Sequence, residues 1–220
     1  TIEFDAYARG TRHTLVPADV FQEKEGIEGP GIEVGALLGQ YTTGIERAFG
    51  VEVSTLYEQG PWRARVAMST GRTFVRTPSR SGLRWRSSDL DVPLSVRGTL
   101  GWQGEAWSAT IGTEVRSGYP ITVPEARYRL GDPTGTEPTT YLYRPRVNNG
   151  RLPPYFRVDL TVSYQFQLLS SDWTATLDIF NAINRDNILD QTYRPTDTGV
   201  RVNRQQGLPI LPLLELKMEL

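Results

Sequence analysis

The stretch "YFRVDLTVSYQF", residues 155–166, alternates from end to end. Phe156, Val158, Leu160, Val162, Tyr164 and Phe166 share one parity, and Arg157, Asp159, Thr161, Ser163 and Gln165 share the other. A period of two marks an extended strand whose faces meet different surroundings. Working outward, the pattern recurs. Trp173, Ala175, Leu177 and Ile179 oppose Thr174, Thr176 and Asp178, and Leu214, Leu216, Met218 and Leu220 oppose Glu215, Lys217 and Glu219. Upstream, Trp107, Ala109, Ile111 and Val115 oppose Ser108, Thr110, Glu114 and Arg116. Val92, Leu94, Val96, Leu100 and Trp102 oppose Ser95, Arg97 and Thr99, and Trp62, Ala64, Val66 and Met68 oppose Arg63, Arg65 and Ser69. Phe49, Val51, Val53 and Tyr57 oppose Glu52 and Ser54, and Ile2, Phe4 and Ala6 oppose Glu3 and Asp5. The pattern predicts an all-β chain of about eight strands, most of about 9–12 residues, the length that crosses a bilayer when tilted.

No run in the 220 residues reaches the roughly 20 apolar residues that a membrane helix needs. A barrel strand escapes that criterion because lipid-facing and lumen-facing residues average out. The connections point the same way. Short turns are expected at Glu58–Pro61, Gln103–Glu105 and Leu168–Asp172, and long polar segments at roughly 10–42, 75–91, 118–154 and 184–208. Short periplasmic turns and long outer loops are the outer-membrane arrangement, and both chain ends then fall on the periplasmic side. Tyr57 and Trp62, Trp102 and Trp107, and Phe166 and Trp173 bracket the three short turns on the apolar parity, as an interfacial aromatic girdle would. A soluble β-sandwich or β-helix whose aromatics cap a core is the competing fold. Arg47 and Arg72 also fall on the apolar parity. Either they sit at headgroup level near lipid phosphates, or a bulge shifts the register.

Charge and chemistry exclude several classes. Twenty-four basic and 25 acidic residues leave a formal charge of −1, against a nucleic-acid surface. There is no cysteine, and His13, the single histidine, reads as a solvated loop residue without a nucleophile or partner ligands beside it. Asp19, Glu23, Glu25 and Glu28 lack the spacing of a calcium loop. No catalytic residue, metal site or cofactor is expected. Tyr119, Tyr128, Tyr141 and Tyr143 are the candidate ligand contacts, as loop aromatics able to stack on a sugar or catechol.

Four segments in order, "GYPITVPEARY" (118–128), "RLPPYFRVDLTVSYQF" (151–166), "LDIFNAINRDN" (177–187) and "LPILPLLELKMEL" (208–220), resemble the closing strands of TonB-dependent outer-membrane receptors. Pro153 and Pro154 would stiffen the start of a strand. Arg157 and Asp159 would share the lumen face, and Asn181 and Asn184 would bond local backbone where a strand leaves the membrane. Three features depart from the family: the chain ends in Leu220 rather than an aromatic, "RWRSSDLDVPL" (84–94) is at best an eroded Asp-x-x-His element, and neither a plug domain nor a TonB box is expected within residues 1–220.

The resemblance implies that residues 1–220 are the C-terminal part of a barrel wall of about 22 strands. The plug domain and remaining strands lie elsewhere, in the same or a separate chain. It further implies residence in the bacterial outer membrane among its lipids and TonB acting through the plug. The expected function is energy-coupled uptake of a bulky ligand such as a siderophore, cobalamin, glycan or peptide. The alternative is a complete eight-stranded barrel with a structural or adhesive role, its lumen filled by ion networks of residues such as Arg63, Arg65, Arg97 and Glu114. Pairing of the first strand with the last separates the two.

Overall fold

The computed structural model describes residues 1–17, 41–77, 84–130, 139–144, 146–196 and 198–219. Fifteen strands occur among them. They are β1 (Ile2–Pro17), β2 (Tyr41–Gln59), β3 (Trp62–Thr77), β4 (Arg84–Ser87), β5 (Leu94–Gln103), β6 (Trp107–Arg116), β7 (Pro120–Ile121) and β8 (Ala126–Leu130). There follow β9 (Thr139–Tyr143), β10 (Gly150–Arg151), β11 (Tyr155–Leu168), β12 (Ser171–Phe180), β13 (Ile188–Pro195), β14 (Val200–Gln206) and β15 (Leu211–Glu219). One sheet runs β1-β2-β3-β5-β6-β11-β12-β15, antiparallel throughout, with β4 pairing β3 above β5. The eight expected wall strands are present in their expected order. Among the described residues β1 pairs only β2 and β15 only β12, so the sheet has two free edges and is not closed on itself. The closed eight-stranded barrel needs those edges joined, and they are not.

The registers put the apolar parities of all eight strands on one continuous face, because residues directly opposite in an antiparallel ladder point the same way. The row Phe4, Val53, Met68, Val96 and Val115 continues through Phe156, and lower down Ala109, Val162, Leu177 and Leu214 form another. This face is uncovered: Phe4 is 67 % exposed and Leu214 81 %, whereas Val75 and Leu152 alone among described hydrophobics are buried. A soluble sandwich hides such rows in its core. The exposure here fits a wall whose apolar solvent is lipid.

The girdle forms as expected. Trp62 faces Trp102, Trp107 faces Tyr164 and Phe166 faces Trp173 across adjacent strands. The rings of Trp107, Tyr164, Phe166 and Trp173 follow one another at centroid spacings of 4.5, 5.7 and 6.4 Å. Arg72 lies ten positions along β3 from Trp62, and Arg47 ten along β2 from Tyr57. Ten residues rise about 33 Å along a strand, or about 23 Å normal to a membrane at a tilt of about 45°, close to the height of the lipid band. No register shift separates β2 from β3. Both arginines keep the apolar parity, at the height where the far edge of such a band would fall, and with the register unbroken the bulge alternative fails for them.

Other expectations need correction. β1, β2 and β3 have 16, 19 and 16 residues and run well past the membrane height, so they take up the parts of the expected loops nearest the wall. Above the bilayer both faces are wet, and the apolar alternation that reveals a strand disappears. For the same reason the segments 118–154 and 184–208 are not plain loops: they contain the β7–β10 pair and the hairpins β8–β9 and β13–β14. His13 lies in β1, not in a loop, at a φ of 60° where the register to β2 slips by one residue between Arg12 and Thr14. Asp19, Glu23, Glu25 and Glu28 fall outside the described residues.

The three short turns and both described ends gather at one end of the sheet. The Thr1 ammonium donates to Leu56 O at 2.8 Å beside the first turn, and Glu219 faces Asp172 beside the third. A charge introduced on the apolar face at mid-height should therefore be far worse than one on the other face. Met68→Arg is expected to cost about 2–4 kcal/mol of unfolding free energy in lipid vesicles, and Ser69→Arg, one residue away, less than about 1 kcal/mol. Denaturant titration in vesicles measures both.

Candidate functional site

Over the height of the apolar rows, the inner face carries the charge that the outer face lacks. Arg97 Nη2 lies 3.4 Å from Glu114 Oε1, and Arg157 reaches the other oxygen of Glu114 at 3.7 Å. Arg157 Nε also donates to Asp159 Oδ2 at 2.9 Å, and its Nη1 to the Tyr155 hydroxyl at 3.1 Å. The Phe180 ring closes one side of its guanidinium, 4.4 Å from centroid to carbon. Beyond this chain of ions, Thr161 donates to Asp178 and Ser163 pairs with Thr176 across β11 and β12. Of the arginines expected in a lumen ion network, Arg97 joins it, while Arg63 pairs with Glu58 at the turn end.

Toward the outer rim, Asp91 is fully buried and fastens three segments. It receives Arg72 Nε at 3.2 Å and pairs with Arg151 Nη2 through the same oxygen. Its other oxygen accepts the Thr73 backbone N–H at 2.7 Å, standing in for a strand carbonyl where β5 no longer accompanies β3. Arg151 further donates to the carbonyls of Asp91 at 2.7 Å and Gly118 at 3.1 Å. Leu152 presses so close to Gly118 that a Cβ there would sit 1.8 Å from the Leu152 carbonyl oxygen, so only glycine fits. Asp91 lies within the 84–94 stretch, but nothing local in the sequence announces its role, because its partners stand up to 60 positions away.

The asparagines of 177–187 fasten the rim after β12. Asn181 and Asn184 adopt φ of 51° and 48°, a region asparagine tolerates well. Asn181 Oδ1 accepts the Arg185 N–H and its amide donates to Leu208 O, while Asn184 Oδ1 accepts the Ile210 N–H. Asn187, not singled out from sequence, satisfies both backbone groups of Phe156 with one side-chain amide, at 2.9 and 2.8 Å. Asp159 Oδ1 accepts the Asn181 N–H and so ties the ion chain to this corner.

The four candidate tyrosines separate into two places. Tyr119 stays with the rim: Arg116 donates to its hydroxyl at 2.7 Å and lies between the Tyr119 and Tyr155 rings, 4.8 and 4.5 Å from their centroids. Tyr128 and Tyr141 are register partners in the β8–β9 hairpin and stack at 5.5 Å. Tyr143, opposite Ala126, lies on the same hairpin face and is 48 % exposed. The hairpin leans on its neighbour: Arg127 donates to Thr196 O and Arg144 to Tyr193 O. Among the described residues no group of His, Asp and Glu side chains is arranged to hold a metal.

Removing the charge of Asp91 leaves two arginines unpaired over a buried site. Asp91→Asn is expected to lower unfolding free energy by about 3 kcal/mol, the low end for breaking a buried pair, since both arginines are partly exposed. Asn187→Ala, which strands two backbone groups, should cost about 1–3 kcal/mol. Thermal or denaturant unfolding in detergent checks both.

The sequence matches the family model described as TonB dependent receptor-like, beta-barrel, over residues 19–182, about three-quarters of the chain. No curated protein matches the chain. The match spans β2 to β12, the antiparallel wall with its girdle and most of its rim fastenings. The chain belongs to the TonB-dependent receptor family, whose members are outer-membrane transport receptors, and is part of its β-barrel.

Proposed function

We propose that this chain supplies wall and outer loops to a receptor that takes up a scarce, bulky ligand across the outer membrane by energy coupling through TonB. The observation that carries the proposal is the family match joined to an open sheet: one face apolar and uncovered, the other charged, with two edges free among the described residues. In a bilayer a free edge leaves a row of unsatisfied backbone groups. Further strands would pair with β1 and β15 to complete the barrel, and a plug would fill it against the inner face of Arg97, Glu114 and Arg157. TonB would act on that plug from the periplasmic end, where the short turns lie.

Ligand capture falls to the outer segments. Tyr128, Tyr141 and Tyr143 share one face of a hairpin held by two cross-links to its neighbour, a rigid aromatic surface suited to a sugar ring or a catechol. Tyr119, its ring engaged by Arg116, would contribute by shaping the mouth beneath.

In cells making the receptor that contains this chain, uptake of a radiolabelled ferric catecholate or oligosaccharide should fall to background when TonB is deleted, while surface binding persists. Uptake unchanged without TonB overturns the proposal. Tyr128→Ala, Tyr141→Ala and Tyr143→Ala together should weaken surface binding about tenfold or more, as loss of central aromatic contacts does. Unchanged affinity removes the hairpin from the binding site.

A further inference from the structure

Above the lipid band the outward face changes character. Three consecutive rows cross β1, β2 and β3 there: Ala8, Phe49 and Arg72; Gly10, Arg47 and Phe74; Arg12, Ile45 and Arg76. β4 extends the last row with Trp85. Arg47 is thus the diagonal neighbour of Arg12, Arg72 and Arg76, at Cα separations of about 7–8 Å. Arg47 thus stands within reach of three other cations that repel it, and a cation facing mid-bilayer would add about 2–4 kcal/mol. The cluster is tolerable at the interface, and an anion between the guanidinium groups would turn the repulsion into attraction.

The structure supplies little of that anion itself. Arg72 shares Asp91 with Arg151, so one carboxylate serves two guanidinium groups. Among the described residues no carboxylate pairs with Arg12, Arg47 or Arg76, and the buried Nε of Arg76 has no hydrogen-bond partner. Arg47 is held over the Trp85 ring at 4.9 Å, and Trp85 is 39 % exposed. Beside Arg47, Gly10 leaves open space where a side chain would stand. Phe74, in the row of Arg47, stacks on Phe49 one row nearer the membrane. Above the apolar rows the surface therefore interleaves cations and aromatic rings around a dent.

We propose that this patch binds a phosphorylated lipid headgroup of the outer leaflet, with Arg12, Arg47 and Arg76 on the phosphate, Trp85 backing Arg47, and Phe49 and Phe74 against the first methylenes. A lipid fits better than a free anion, because the cations form the upper margin of a continuous lipid-facing surface. The proposal rests on that face meeting lipid, as the receptor reading holds.

The receptor containing this chain, purified in detergent, is titrated with a bisphosphorylated, acylated glucosamine disaccharide, and retained lipid is read by native mass spectrometry. Arg12→Gln, Arg47→Gln and Arg76→Gln together should raise the lipid concentration needed for retention about tenfold or more, the loss of a charge-assisted contact. The dephosphorylated lipid on the unaltered protein should show the same loss, an arm that holds even if the triple variant does not fold. Arg63→Gln with Arg65→Gln, on the inner face, should change nothing. Equal retention of phosphorylated and dephosphorylated lipid overturns the inference, as does displacement of the lipid by millimolar inorganic phosphate. Quenching of the girdle tryptophans by brominated acyl chains tests the lipid-facing wall separately. If quenching persists while phosphate makes no difference, the phosphate site alone fails; if quenching is absent, the wall reading fails with it.

Discussion

A strand in hydrocarbon has no water to satisfy its N–H and C=O groups, so each must pair with the next strand. That requirement organises this chain. It makes the eight wall strands continuous antiparallel neighbours and leaves the side chains to divide the two faces between them. The outer face takes Val, Leu, Met and aromatic rings, most of them exposed, and the inner face takes the ion chain from Arg97 to Asp159. Stability here does not come from a buried apolar core, which among the described residues amounts to Val75 and Leu152.

Where the ladder stops, side chains replace it. Asp91 accepts the Thr73 N–H that β5 no longer reaches, and Asn187 pairs with both backbone groups of Phe156 at the start of β11. The run Arg151, Tyr155, Arg157, Asp159 is thus a set of fastenings between the wall and its rim rather than a surface presented to ligand. Each member already has a partner in the protein.

The wall was legible because lipid contact imposes a strict parity on the sequence. Eight strands, their order, three short turns and the girdle all follow from that parity, and the observed registers align faces chosen strand by strand. The upper reaches of β1 to β3 and the hairpin β13–β14 were not legible, since all of β14 is exposed and neither face need be apolar. Asp91 escaped notice for another reason: its partners lie far off along the chain, and only the fold brings them together. Of the four candidate tyrosines, alternation could not say that Tyr128 meets Tyr141, because that pairing depends on the hairpin register.

The slip at His13 has a consequence for how the receptor can vary. Below it, even-numbered residues of β1 face outward; at Thr14, paired with Gly44, the faces have exchanged. One extra residue therefore acts as a clutch between two lengths of the same strand. Insertions or deletions above it can reset which side chains line the mouth while every residue below keeps its orientation toward lipid. The barrel can remain a constant conduit while its rim diversifies.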